Sequence, residues 1–172
     1  MYFSPVDMSD KRYDEIYSRI QQSYPNACIL YIDEVINTEL SEKYNTFKNS
    51  LTDIKEQQLF HGTLDTLINV IADHGFDPTK NKTAAFGYGT YFAKNAGYSF
   101  SYMRSAKNND ITYMFLADVL VGRLTIGKHR TKDDIYTWDN NVDNFTNPTI
   151  YTTPYRYGAY PRYIIAFHKN AK

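Results

Sequence analysis

Apolar residues recur at helical spacing near the start of the chain. After Ser9 and Asp10, which suit a helix cap, Tyr13, Ile16, Tyr17 and Ile20 fall at i, i+3, i+4 and i+7. That spacing predicts an amphipathic helix of about three turns, ended at Asn26 after Pro25. Ala27 to Val35 is apolar and β-rich, with Ile29, Tyr31, Val35 and Ile36 suiting a central strand. Thr38 to Leu51 returns to helical spacing through Leu40, Tyr44 and Phe47. A short strand is expected at Gln58-Leu59-Phe60-His61, then a helix from Asp65 to His74 stopped by Gly75, then an irregular loop from Gly75 to Gly89. Tyr91-Phe92-Ala93 precedes a helix running through Tyr98 and Tyr102. Tyr113 to Gly122 carries the strongest strand signal and is expected in mid-sheet. Lys128 to Asn147 is polar and rich in Asp and Asn, including Asp133-Asp134, and reads as a long loop crossing the sheet. Ile150-Tyr151-Thr152-Thr153 and Tyr163 to His168 close the chain as two β segments. Strands gather late without regular strand–helix alternation, so the fold class is α+β.

The length of 172 residues suits one domain with a real core, and residues 1–172 are read as one. Lysine plus arginine total 19 and aspartate plus glutamate total 19, so the formal charge is zero. No long-range field draws in nucleic acid or an acidic membrane, and an anionic ligand must be held locally. The one cysteine, Cys28, excludes an intrachain disulfide and any multi-cysteine zinc site. Its apolar neighbours predict a buried core position. Met1 to Asp7 lacks the pattern of a secretory leader and no stretch is long and apolar enough for a membrane span, so an intracellular compartment is expected. Aromatic residues reach 16%, with 17 tyrosines and 10 phenylalanines, and most must be ordinary packing.

Candidate chemistry lies in an ordered set: His61-Gly62-Thr63 after a strand, Gly87 to Lys94 with Tyr91, and Ser99-Phe100-Ser101-Tyr102. Singly, each has a bland reading: a turn, core rings, a helix-surface hydroxyl. Together they offer two aromatic faces, a hydroxyl, a backbone amide and an imidazole, which suits nicotinamide and its ribose. His74, His129 and His168 lack partners at ligand spacing, and Asp139 and Asp143 look like a metal pair only superficially, so no metal site is expected. Arg162 reads either as a cap on the sheet edge or as a contact to a target.

With Leu116 to Gly122 and Pro148-Thr149-Ile150-Tyr151 through Ala159 to Ile165, these segments resemble the catalytic domain of the poly(ADP-ribose) polymerase superfamily, the diphtheria-toxin-like ADP-ribosyltransferases. The resemblance spans most of the chain. It implies a mixed, mainly antiparallel split β-sheet with flanking helices, and NAD+ as co-substrate without a metal. It implies that Gly62 and Ser99 hold the nicotinamide carboxamide and that Gly62 is glycine so the ligand can come close. Tyr91 and Tyr102 would flank the cationic ring, and His61 would bind a ribose hydroxyl. Ile150 falls at the third motif position, where chain-elongating members carry glutamate, so transfer of a single ADP-ribose is implied, with a carboxylate of the target assisting. His61, Tyr91 and Ile150 form the implied catalytic set.

The chain departs from the family pattern at Thr90, at Lys94, and at Thr153-Pro154-Tyr155-Arg156, where acidic and aromatic residues are usual. Lys80 and Lys82 in the donor-loop stretch read as solvated, with pyrophosphate binding the sharper alternative. The expected partners are protein targets, with the enzyme a monomer and no membrane involved. A nucleic-acid terminal phosphate is the alternative acceptor, disfavoured by the neutral charge. A silent NAD-binding or interaction module is the alternative from another class, and the presence of His61, Tyr91 and Tyr102 argues against it. An RNA 2′-phosphotransferase would need further basic residues at the site.

Overall fold

A computed structural model describes residues 1–81, 85–105, 110–127 and 139–168. Lys82, His129 and Asp133-Asp134 lie outside the described residues. Helix α1 (Lys11–Ser23) follows the expected spacing: Asp10 caps it by accepting the Arg12 N–H at 2.8 Å, and Ile16 and Ile20 are buried. It ends at Tyr24, before Asn26. Strand β1 (Tyr2–Pro5) precedes it, and β2 (Ile29–Ile36) and α2 (Thr38–Asn49) follow. The remaining elements are β3 (Lys55–Gly62), a 3-10 turn at Asp65–Leu67 leading into α3 (Ile68–His74), β4 (Thr90–Ala93), α4 (Ala96–Phe100), β5 (Ile111–Val121), β6 (Leu124–Ile126), β7 (Asn140–Val142), β8 (Ile150–Thr153) and β9 (Ala159–His168).

These nine strands form one sheet in the order β1-β2-β9-β5-β3-β4-β8-β7-β6, antiparallel throughout except for the parallel β6–β7 pair. The mixed, mainly antiparallel α+β architecture agrees with the sequence reading, and β5 lies between β9 and β3 as its apolar run required. One face of the sheet is covered by α3, through Ile68, Ile71 and Ala72 against Phe92, Phe115 and Val119. The other is covered by α1 and α4, through Ile16, Ile20 and Ala96 against Phe60, Met114, Leu116 and Ile165. A smaller cluster joins Leu40 and Tyr44 of α2 to Leu120 and Tyr160.

Four expectations need correction. Cys28 is exposed, because it precedes the first ladder position, Ile29, and only its carbonyl is tied in, by the His168 N–H at 2.9 Å. β2 is not central: it lies one strand from the edge and leaves Leu30 and Tyr31 exposed. α4 stops before Tyr102, which follows it in a turn. The polar stretch expected as loop contains β7, whose Asn140 is buried and donates to the carbonyls of Leu120 and Thr152 at 3.3 and 3.2 Å.

Arg162 is a structural residue of the sheet. Its Nε donates to Asp118 Oδ2 at 2.7 Å, while its guanidinium lies 4.8 Å over the Tyr160 ring. Asn37 links three elements: its carbonyl oxygen accepts the Leu40 N–H of α2, and its amide donates to the carbonyls of Ala72 and Asp73 in α3. Its own N–H is received by the Tyr160 hydroxyl of β9. Asn37→Ala is therefore expected to cost about 2 kcal/mol through the lost cap and the lost donor to two carbonyls, that of Ala72 buried, measured by urea denaturation.

Candidate active site

β3 and β4 are paired at one position, Phe60 opposite Ala93, and diverge beyond it. The fork opens into a cleft of about 700 Å³, within the range of small-molecule sites. His61 and Gly62 at the end of β3, Tyr91 on β4, and Ser99 and Tyr102 on and after α4 all line it. Five of the six residues singled out in the sequence thus converge on one cavity. Ile150, the sixth, does not line it. It begins β8 opposite Ala93 and is buried.

His61 packs beside both Phe76 and Phe92, with ring centroids 5.1 and 5.5 Å away in a triangle whose third side is 5.0 Å, and its Nδ1 is 2.8 Å from the Tyr91 carbonyl. A carbonyl only accepts, so Nδ1 carries the proton and Nε2 is the acceptor nitrogen. Desolvation by the aromatic walls lowers the imidazole pKa, outweighing the Tyr91 carbonyl that would raise it. The ring is neutral at pH 7.

The Ser99 hydroxyl donates to the Phe60 carbonyl at 3.1 Å, which leaves the oxygen's lone pairs for an incoming N–H donor. Gly62 is explained differently from the sequence expectation. A Cβ at this position would lie 1.9 Å from the Ser99 carbonyl oxygen, so α4 packing on β3 requires glycine directly. The other end of α4 is seated in the same way: a Cβ on Gly97 would lie 2.4 Å from the Ser23 carbonyl oxygen, and the Gly97 N–H donates to the Ser23 hydroxyl at 3.2 Å.

The Tyr91 hydroxyl donates to the Gly87 carbonyl at 2.7 Å and accepts the Phe86 N–H at 2.9 Å, so the motif tyrosine holds the end of the loop that precedes it. Tyr102 is half exposed, and its hydroxyl lies 3.1 Å from that of Tyr98, with ring centroids 5.5 Å apart. Tyr98 also lines the cleft, and sequence reading missed it. Burial, the Tyr102 hydroxyl and the charges of Tyr102 and Asp143 push its pKa up to about 12.

Asp139 pairs with Arg123 at 3.2 Å, and Asp143 clamps the start of β8. Its carboxylate accepts the N–H groups of Thr149 and Ile150 at 2.9 and 3.0 Å and the Thr149 hydroxyl at 2.5 Å. Burial would raise its pKa, but these bonds outweigh burial and hold it below the usual carboxylate value. Among the described residues, no group of three or more His, Cys, Asp or Glu side chains could hold a metal ion, and no helix is long and apolar enough to cross a membrane.

Residues 11–142 match the family described as the poly(ADP-ribose) polymerase catalytic domain. The chain is 31% identical over 94% of its length to the human protein named protein mono-ADP-ribosyltransferase PARP14, of which it covers 10%. It is 28% identical to mouse PARP12 over 97% of its length, covering 25% of that protein. It is 31% identical to mouse PARP11 over 91% of its length, covering 57%. Both of these relatives are likewise named protein mono-ADP-ribosyltransferases. The chain thus spans between 10% and 57% of these relatives' own lengths. On this evidence the chain belongs to the poly(ADP-ribose) polymerase catalytic domain family.

Proposed function

We propose that this chain is an NAD+-dependent protein mono-ADP-ribosyltransferase, a single catalytic domain over residues 1–172 that works as a monomer inside cells. The observation that carries this reading is the convergence of His61, Gly62, Tyr91, Ser99 and Tyr102 on one cleft of nucleotide-binding size. The relatives' names point the same way. In this reading the Gly62 backbone and Ser99 Oγ hold the carboxamide, while Tyr91 and Tyr102 face the pyridinium ring, whose charge favours electron-rich phenol faces. Neutral His61 accepts a ribose hydroxyl at Nε2.

The bond from the ribose C1′ to nicotinamide breaks with its electron pair leaving on nicotinamide, and the acceptor oxygen forms the new bond at C1′. The transition state has oxocarbenium character and needs negative charge nearby. Ile150 offers none, so a carboxylate of the target supplies it and serves as the acceptor. The buried isoleucine also leaves nothing to polarise a hydroxyl of a first ADP-ribose, which stops the reaction at one unit.

Incubation with labelled NAD+ and a cell lysate, run beside His61→Ala and Tyr91→Ala variants, tests the activity. Discrete labelled protein bands lost in both variants are expected. Label on RNA instead would select the nucleic-acid acceptor, and no label with NAD+ binding intact would mark a silent module. A separate expected outcome concerns product length: the unmodified protein gives one ADP-ribose per site on a denaturing gel, and a polymer ladder would refute the role assigned to Ile150.

A further inference from the structure

The charge pair between Asp77 and Arg156 has no part in the reading above, although both side chains line the cleft. Arg156 lies between β8 and β9, and its NH1 is 3.4 Å from Asp77 Oδ2, the one ion pair shown for either residue among the described residues. The two side chains are 47% and 24% exposed, so water screens the pair and it holds Arg156 only weakly. Asp77 has separate work at its other oxygen. Oδ1 accepts the Thr79 N–H at 3.0 Å and the Thr79 hydroxyl at 2.6 Å, which caps the 3-10 turn Pro78–Lys80. The turn therefore does not depend on Arg156, and Arg156 can change partner without undoing it.

Lys80 lines the same end of the cleft, so two cations there face one carboxylate. The chain has zero formal charge, and an anion drawn into this cleft must be held by groups of this kind. A guanidinium presents a planar fork of donors that matches phosphate oxygens, and a charged phosphate competes well against a single contact to a carboxylate.

We propose that Arg156 binds the pyrophosphate of the dinucleotide and that Asp77 is the internal anion it leaves to do so. Arg156 is then a determinant of donor binding, and Asp77 holds affinity down by competing for the same guanidinium. This inference rests on the dinucleotide reading of the cleft. It makes the two members of one ion pair act with opposite sign, which a purely structural pair does not do.

The test is calorimetry of the whole chain with ADP-ribose and with benzamide, a nicotinamide mimic that carries no phosphate. The variants are Arg156→Gln, Asp77→Asn and the double substitution. Asp77→Asn keeps an oxygen to accept the Thr79 bonds and so spares the turn. Arg156→Gln is expected to weaken ADP-ribose binding about tenfold, the scale of one lost charge-assisted contact. Asp77→Asn is expected to tighten it, the double variant to follow Arg156→Gln, and benzamide affinity to stay at the wild-type value in all three. ADP-ribose affinity that falls in both single variants, or is unchanged in Arg156→Gln while benzamide still binds, overturns this inference alone. Failure of the unmodified protein to bind either compound overturns the dinucleotide reading and this inference with it.

Discussion

Gly62→Ala is expected to lose about 3 kcal/mol of stability and the nicotinamide pocket with it, the upper end of what overpacking a tight contact costs. The added methyl would stand 1.9 Å from the Ser99 carbonyl oxygen and 2.9 Å from its carbon, and both are backbone atoms that cannot rotate away. α4 cannot simply slide off, because Gly97 at its other end is seated against Ser23. Relief has to come from separating β3 from α4, and that breaks the bond from the Ser99 hydroxyl to the Phe60 carbonyl. Urea denaturation together with benzamide titration reads both effects. A variant within about 0.5 kcal/mol of the parent, the range of a neutral surface change, and with undiminished benzamide affinity would show that the contact is soft.

His61→Ala is expected to lower kcat/KM for NAD+ about a hundredfold, the scale on which misplacing a bound substrate costs rate. Two functions go at once: the Nε2 acceptor facing the cleft, and the Nδ1–H that ties the end of β3 to the Tyr91 carbonyl. His61→Asn separates them, since an amide N–H can keep the Tyr91 bond while the Nε2 acceptor is gone. The pH profile supplies a second signature. Burial puts the folded-state pKa of His61 below the ordinary imidazole value of 6.5, so the ring stays an acceptor at pH 7 and loses that role only as the pH falls through the lowered value. The acid limb of kcat/KM should therefore lie below 6.5 in the parent and be absent in His61→Asn. Stability follows the same direction. The unfolded chain takes the proton more readily, so this residue subtracts stability as the pH drops below 6.5 and costs none above it. An acid limb above 6.5 would contradict the desolvated environment beside Phe76 and Phe92.

The elements legible in the sequence are those whose signal is local. α1 follows from apolar spacing and a capping side chain, α2 from apolar spacing, and β5 from a run, apolar from Tyr113 to Val121 but for Asp118, that has to be covered on both faces. β1, β6 and β7 are three or four residues long and exist because a neighbour supplies the ladder, so no local pattern announces them. β7 was hidden further by its composition. Asn140 and Asn141 read as loop, whereas Asn140 is a buried crosslink to Leu120 and Thr152. The candidate site divides in the same way. His61, Gly62, Tyr91, Ser99 and Tyr102 were legible as an ordered set, although the reason for Gly62 was not, because it depends on a carbonyl 37 positions away in the sequence. Asp143 looked like an ordinary polar loop residue, and Arg156 only like part of a departure from the family pattern. Asp143 closes a turn onto the start of β8, and the place of Arg156 at the cleft end comes from a contact to Asp77 far away in the sequence, neither of which a single sequence displays.

The single pairing of Phe60 with Ala93 has a mechanical consequence. It makes the sheet two rafts, β1-β2-β9-β5-β3 and β4-β8-β7-β6, lashed at one rung and steadied by the bond from His61 to the Tyr91 carbonyl. A molecule lying in the fork touches both rafts at once, through His61 on one and Tyr91 on the other. It would then act as a splint across the weakest line of the sheet, so that occupancy of the cleft and the stiffness of the whole domain rise and fall together.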